Sequence, residues 1–239
     1  MNWIVKLRDK LFGLNKLEYN FLFGKINQNQ DYRFKELKAI EVLKPYFPKE
    51  YVFETSFSLS FQTIQHIAND IVINRPKIIL EIGSGLSTII LNNLISDLDY
   101  NPEFISIDQD GDWQKYLQPQ CPRVKFFAFG ITSSNEFSYE RKGEWFDIPN
   151  TCEVRFKSYD LVIIDGPKGF GSKFARYGVV EFLNGRVNGS SILFLDDTDR
   201  PDEQFVLRNL KEKFSMLYVS SNGRYTRLSR DTSIITSPS

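Results

Sequence analysis

The sequence predicts an α/β fold, a doubly wound and mostly parallel sheet with helices on both faces. Three observations lead there. From about residue 57 onward, short apolar runs alternate with stretches of helical period, the order expected of strands and crossover helices. The run Ile78–Ile82 passes straight into Gly83-Ser84-Gly85 and then into a helix-like stretch, which reads as a buried strand, a tight turn and a helix. Acidic residues stand at the end of successive apolar runs, where such sheets bind their ligands.

Residues 1–50 differ from the rest and read as a helical extension, with one domain over 51–239. Trp3, Ile4, Leu7, Leu11 and Leu14 recur at helical spacing, with Lys6, Arg8 and Lys10 between them. Tyr32–Leu43 forms a second helix that stops before Pro45 and Pro48. The first stretch suits a basic amphipathic helix on an anionic membrane surface. The favoured reading is instead a helix packed on the domain or on a second subunit, as in a homodimer, because Asp9 and Glu18 dilute the charge and the stretch is short.

A helix over Phe57–Asn74 ends before Arg75-Pro76 and leads into the strand Ile78–Ile82. Ser87–Asp97 is helical, with Ile89, Ile90, Leu91, Leu94 and Ile95 on its buried side. Strands follow at Phe104–Ile107 and Val124–Phe129, with a short helix near Trp113–Leu117 between them. Gly130–Ser158 is polar and lacks a clear period. It is too long for an idle loop in a compact domain; Tyr139, Trp145 and Phe146 would form a lid, an apolar wall or a satellite core. Then come a strand at Tyr159–Ile164, a helix at about Phe174–Leu183, a strand at Ile192–Leu195 and a helix at Asp202–Phe214. Met216–Val219 and Tyr225–Leu228, joined through Asn222-Gly223, read as a terminal hairpin with a type I′ turn.

The chain has 239 residues, enough for one sizeable α/β core. Its 30 basic and 30 acidic residues cancel, so no global field recruits nucleic acid. Cys121 and Cys152 make no metal or disulfide pattern. No apolar run reaches transmembrane length, and charges interrupt the N-terminus too often for a signal peptide. A cytoplasmic protein is the expected reading.

The glycine turn carries the chemistry. Without Cβ atoms the backbone can approach a ligand closely, and the helix N–H groups beyond it suit polar or anionic atoms. A dinucleotide fingerprint would place a third glycine where Thr88 stands. Glu81 at the strand end would repel a pyrophosphate and attract a cationic sulfonium, which favours S-adenosylmethionine over NAD. Further acids follow the later strands: Asp108, Asp165, then Asp196 and Asp197. Burying unpaired carboxylates is costly, so together they mark a site. Asp110 and Asp112 read instead as helix-capping or loop acids, and His66 as a helix-surface or capping residue rather than a catalyst.

Glu81-Ile82-Gly83-Ser84-Gly85, Ile105-Ser106-Ile107-Asp108, the run from Tyr159 to Asp165-Gly166 and Leu193-Phe194-Leu195-Asp196-Asp197 resemble, in order and spacing over about residues 51–220, the class I S-adenosylmethionine-dependent methyltransferases. That resemblance implies a Rossmann-like, seven-stranded sheet whose last strand is antiparallel. It implies that Glu81, Gly83, Ser84, Gly85, Ser87 and Thr88 form the methionine cradle and that Asp108 takes the ribose hydroxyls. Gly130 and Ile131 would face the adenine, and Ser58 the methionine carboxylate. Asp165, which follows the fourth strand, would border the cofactor too.

Asp165-x-x-Lys168 with Asp196-Asp197 is further similar to the catechol-type O-methyltransferases. There the resemblance implies Mg2+ on Asp165, Asp196 and Asp197, with Lys168 as base and Asp165 also catalytic. A hard cation prefers carboxylates and acidifies a bound hydroxyl. The chain departs from that pattern in having Asp197 where asparagine is usual, and Pro167 within the motif. The Asp165-Gly166-Pro167 turn, Glu144-Trp145-Phe146-Asp147 and Asp197-x-x-Arg200-x-x-Glu203 resemble a less characterised group tied to carbohydrate and secondary-metabolite pathways. The expected activity is methyl transfer to a hydroxyl of a small molecule or carbohydrate. Two alternatives stand beside it. Asp197-Thr198-Asp199 mimics the D-x-D of metal-dependent glycosyltransferases, and the fold could serve as a non-catalytic interaction module.

Overall fold

The computed structural model describes residues 3–13, 16–49, 51–168, 172–230 and 235–238, with side chains omitted over 16–19. Nine strands are found among them: β1 Ile78–Ile82, β2 Glu103–Asp108, β3 Val124–Ala128, β4 Ile131–Ser133, β5 Glu144–Phe146, β6 Tyr159–Ile164, β7 Val187–Leu195, β8 Tyr218–Asn222 and β9 Tyr225–Ser229. The helices are α1 Trp3–Phe12, α2 Lys16–Leu43, α3 Phe61–Asn74, α4 Leu86–Asp97, α5 Gly111–Leu117, α6 Gly178–Phe182 and α7 Pro201–Lys213. Seven strands form one sheet in the order β3-β2-β1-β6-β7-β9-β8. β9 runs antiparallel to both its neighbours, giving the Rossmann-like sheet with its terminal hairpin.

Period-two alternation divides the apolar side chains between the two faces. Leu80, Ile82, Ile105, Val162 and Leu193 pack with α6, α7 and the 130–158 segment. Ile79, Phe104, Leu161, Ile163 and Phe194 pack with α3, α4 and the end of α2. The chain lays β1, β2 and β3 outward, then returns to put β6 on the other side of β1. This is the switch point, where a crevice opens beyond the strand ends. Ile82 pairs with both Ile107 and Ile164, and Ile164 with Leu195. That register sets Gly83, Asp108, Asp165 and Asp196 along one rim.

Several elements depart from expectation for local reasons. α2 has 28 residues rather than beginning at Tyr32, because the polar run Asn27-Gln28-Asn29-Gln30 hides a helix from apolar periodicity. Its last turns belong to the domain core. Ala39 and Leu43 are buried, and the Glu36 carboxylate accepts the N–H groups of Phe61 (2.6 Å) and Gln62 (3.1 Å) at the start of α3. α3 starts at Phe61, not Phe57, since Ser60 is extended and its hydroxyl accepts the Thr63 N–H. The 130–158 segment forms the β4–β5 hairpin and short 3-10 turns. Trp145 is core, fully buried against Gly178. The terminal turn is also displaced by one residue. Asn222 pairs with Tyr225, so Gly223-Arg224 form the loop, and only Gly223 takes a positive φ. A type I′ turn needs both. The shift puts Arg224 at the tip.

Candidate functional site

A cavity of about 690 Å³ lies over the switch point. One half is the glycine turn. Gly83 has φ +101°, and an added Cβ would come within 3.2 Å of the Asp165 carbonyl carbon, so both conformation and packing require glycine. Gly85 is extended, and a Cβ there would meet nothing within 4 Å. It lines the cavity, leaving room for a ligand against bare backbone. No side chain caps the first turn of α4, whose N–H groups suit ligand oxygens.

Asp108 fixes this turn. Its carboxylate accepts the Ser84 N–H at 2.7 Å and the Asp110 N–H at 2.9 Å, while still bordering the cavity. Burial raises its pKa, against the pull of those two amides and the Lys168 charge. Asp110 itself caps α5 through the Trp113 N–H. Trp113 lines the cavity, bonds the Ser84 carbonyl at 2.8 Å and meets Phe53 edge-on at 5.3 Å. An aromatic wall thus stands beside Asp108, a feature the sequence reading missed because Trp113 looked like ordinary helix.

Glu81 needs correction. The alternation of β1 points it toward α4 and away from the cavity. It is fully buried and accepts three hydroxyls: Ser87 at 2.7 Å, Thr88 at 2.6 Å and Ser106 at 2.7 Å. Burial pushes its carboxyl up to about 7, against those hydroxyl bonds. Thr88 is likewise buried, donating to Glu81 while accepting the Gly85 N–H. Both residues anchor the turn from behind and do not line the cavity, whereas Ser84 and Ser87 do. Gly130 and Ile131 lie outside it, because β4 turns away to pair with β5. Ser58 lies on the rim, its hydroxyl accepting the Thr55 N–H.

The other half is built from acids and arginines. Asp165, Asp196 and Asp197 come together, their oxygens within 4.8 Å of one another. Asp197 holds φ +57°, a left-handed turn that aspartate tolerates. Arg176 enters between them, its Nη2 at 3.1 Å from both Asp165 Oδ1 and Asp197 Oδ2. Arg224 from the hairpin tip bonds Asp197 Oδ1 at 3.0 Å and Asp196 Oδ2 at 3.3 Å. Arg200 reaches Asp197 Oδ2 at 2.9 Å. Burial raises the carboxyls of Asp165 and Asp196, the second to about 6, against the arginine charges.

These residues do not fit a divalent cation. Guanidinium groups already occupy the space between the carboxylates, and of the three acids only Asp196 Oδ1 is buried without a partner. The expected ligand set is present, but its counter-ion is arginine. Arg176 and Arg224 were not read as site residues; nothing in the sequence pairs them with acids 11 to 28 positions away.

Lys168 is exposed and lines the cavity. Its N–H donates to Gln109 and its ammonium lies 5.3 Å from the Phe57 ring centre. Phe146 lines the cavity, while Tyr139 packs among Phe174, Tyr177 and Phe205. Asp199 is exposed and lies outside the cavity that Asp197 lines. His66 is buried rather than on a surface, bonding Tyr225 at 2.9 Å and Thr236 at 3.1 Å, a structural role.

No family model and no curated protein matches the chain. Among solved structures, it is similar to an S-adenosylhomocysteine-bound methyltransferase from Podospora anserina (16% identity, 83% of this chain and 88% of that one, TM-score 0.47). It is also similar to an O-methyltransferase from Bacillus cereus in complex with S-adenosylhomocysteine (14% identity, 82% and 90%, TM-score 0.44). These are distant likenesses of fold.

Proposed function

We propose that the chain is an S-adenosylmethionine-dependent methyltransferase acting on a hydroxyl of a small polar molecule or sugar. One observation carries the reading. A single cavity joins a bare glycine turn, held by Asp108 beside an aromatic wall, to a charged wall of Asp165, Asp197 and Glu203 with their arginines. The first half suits a nucleoside with a polar tail. The second supplies acceptors and donors for a hydroxylated partner.

In this account the bound cofactor supplies an electrophilic methyl group. Held by the glycine turn and Asp108, it would give that methyl group to the acceptor oxygen and leave as S-adenosylhomocysteine, and the hydroxyl proton would pass to a base. Asp165 is the best placed base: its carboxylate borders the cavity, and burial raises it against the opposing Arg176 charge. Arg176 holds it in place. Most of the acceleration would come from proximity and alignment.

A thermal-shift panel tests the cofactor class. S-adenosylhomocysteine should stabilise the protein, whereas NAD and UDP-sugars should not; the reverse pattern removes the proposal. With an acceptor in hand, Asp165→Asn should lose methyl transfer while keeping S-adenosylhomocysteine binding.

A further inference from the structure

We propose that α1 and the exposed start of α2 dock the protein on an anionic lipid surface. At 3.6 residues per turn, Trp3, Ile4, Leu7 and Leu11 fall on one face of α1. That face looks outward: Trp3 is 70% exposed, Ile4 57%, Leu7 50% and Leu11 72%. Val5 and Asp9, on the opposite side, are the half-buried positions. No residue of α1 is buried, and its apolar stripe is left uncovered, unlike that of a surface helix packed on its own core. Lys6 and Lys10 border the stripe on one side and Arg8 on the other. The start of α2 is exposed as well, with Phe21, Leu22 and Ile26 about half exposed or more within a stretch, residues 20–31, that is exposed throughout.

Charge selects the occupant. The first 50 residues hold ten lysines and arginines against six acids, leaving twenty against twenty-four in the remainder. The excess positive charge thus sits on the segment that carries the exposed aromatics. A second copy would set this basic-rimmed patch against itself, since a two-fold interface is self-complementary, and the Asp9 carboxylate is already paired with Arg8 at 2.6 Å. An anionic headgroup layer complements the cations, and its acyl boundary receives Trp3, Leu7 and Leu11. No described helix is long and apolar enough to cross a membrane. The contact is therefore with the surface.

The test is flotation of the full chain with vesicles of one part phosphatidylglycerol to three parts phosphatidylcholine, and with phosphatidylcholine alone. The wild type should float with the mixed vesicles, bind pure phosphatidylcholine about tenfold more weakly, and blue-shift its tryptophan emission on binding. Leu7→Glu with Leu11→Glu should abolish flotation, and Lys6→Glu with Lys10→Glu should cost about tenfold on the mixed vesicles. Unchanged melting temperatures would show that both variants fold. Two results would overturn the proposal. One is a wild type that ignores anionic vesicles. The other is a dimer in sedimentation that Leu7→Glu with Leu11→Glu splits, which would assign the face to a second copy.

Discussion

Replacing Glu81 by glutamine separates an anchor behind the turn from a group that meets the ligand. Glu81 ionises at about 7 in the folded protein against 4.5 for an ordinary glutamate, because burial outweighs its three hydroxyl bonds. The folded state therefore holds this proton more tightly than the unfolded chain. Its stabilising contribution is complete below about 4.5 and is lost as pH rises through 7. The gap corresponds to about 3 kcal/mol, most of which falls between about pH 5 and pH 8. Glutamine keeps the shape and cannot ionise. Urea unfolding at both pH values should show the variant gaining about 2–3 kcal/mol on the wild type as pH rises. Parallel pH dependences would refute the burial argument. Affinities for S-adenosylmethionine and S-adenosylhomocysteine should change together, since Glu81 does not border the cavity; a selective loss for the cationic cofactor would restore a direct contact.

Other consequences follow from particular contacts. An alanine methyl at Gly178 would lie 2.1 Å from a Trp145 ring carbon, so Gly178→Ala should cost about 3 kcal/mol or more in chemical denaturation; an unchanged midpoint would contradict that packing. Electron paramagnetic resonance should detect no Mn2+ bound to the wild type. Arg176→Met with Arg224→Met, which frees the three carboxylates, should create a binding site, whereas tight binding by the wild type would restore the metal reading. Burial, reinforced by the Arg227 charge, lowers His66 from 6.5 to about 3. Its contribution is present above 6.5 and lost as pH falls toward 3, so His66→Gln should unfold less steeply with acid over that range. Equal acid slopes would remove this role.

The sheet was legible because its strands are apolar runs closed by glycine or acid, and alternation and order suffice to arrange them. The acid rim followed from the strand ends. Which way each side chain faces was less legible. Glu81 sits at a strand end yet points into the α4 face, one residue of alternation away from the cavity. The arginines escaped notice because their partners are set by a crossover and by a hairpin register, neither of which leaves a local pattern. The turn Gly223-Arg224 shows how small the margin is, since a one-residue shift decides whether Arg224 stands at the tip beside Asp196 and Asp197. α2 shows the converse, a polar helix whose first half is invisible to hydrophobic periodicity and whose last turns are tied to α3 through Glu36.

The most direct test of the central claim is a calorimetric titration of S-adenosylhomocysteine into the wild type, Asp108→Ala and Gly85→Val. The glycine turn as cofactor cradle predicts one saturable site in the wild type. Asp108→Ala should weaken it by about tenfold or more, as the Ser84 and Asp110 amides lose their holder. Gly85→Val, which fills the open space over the turn, should abolish it. No heat of binding in the wild type, or equal affinity in all three proteins, would contradict the account.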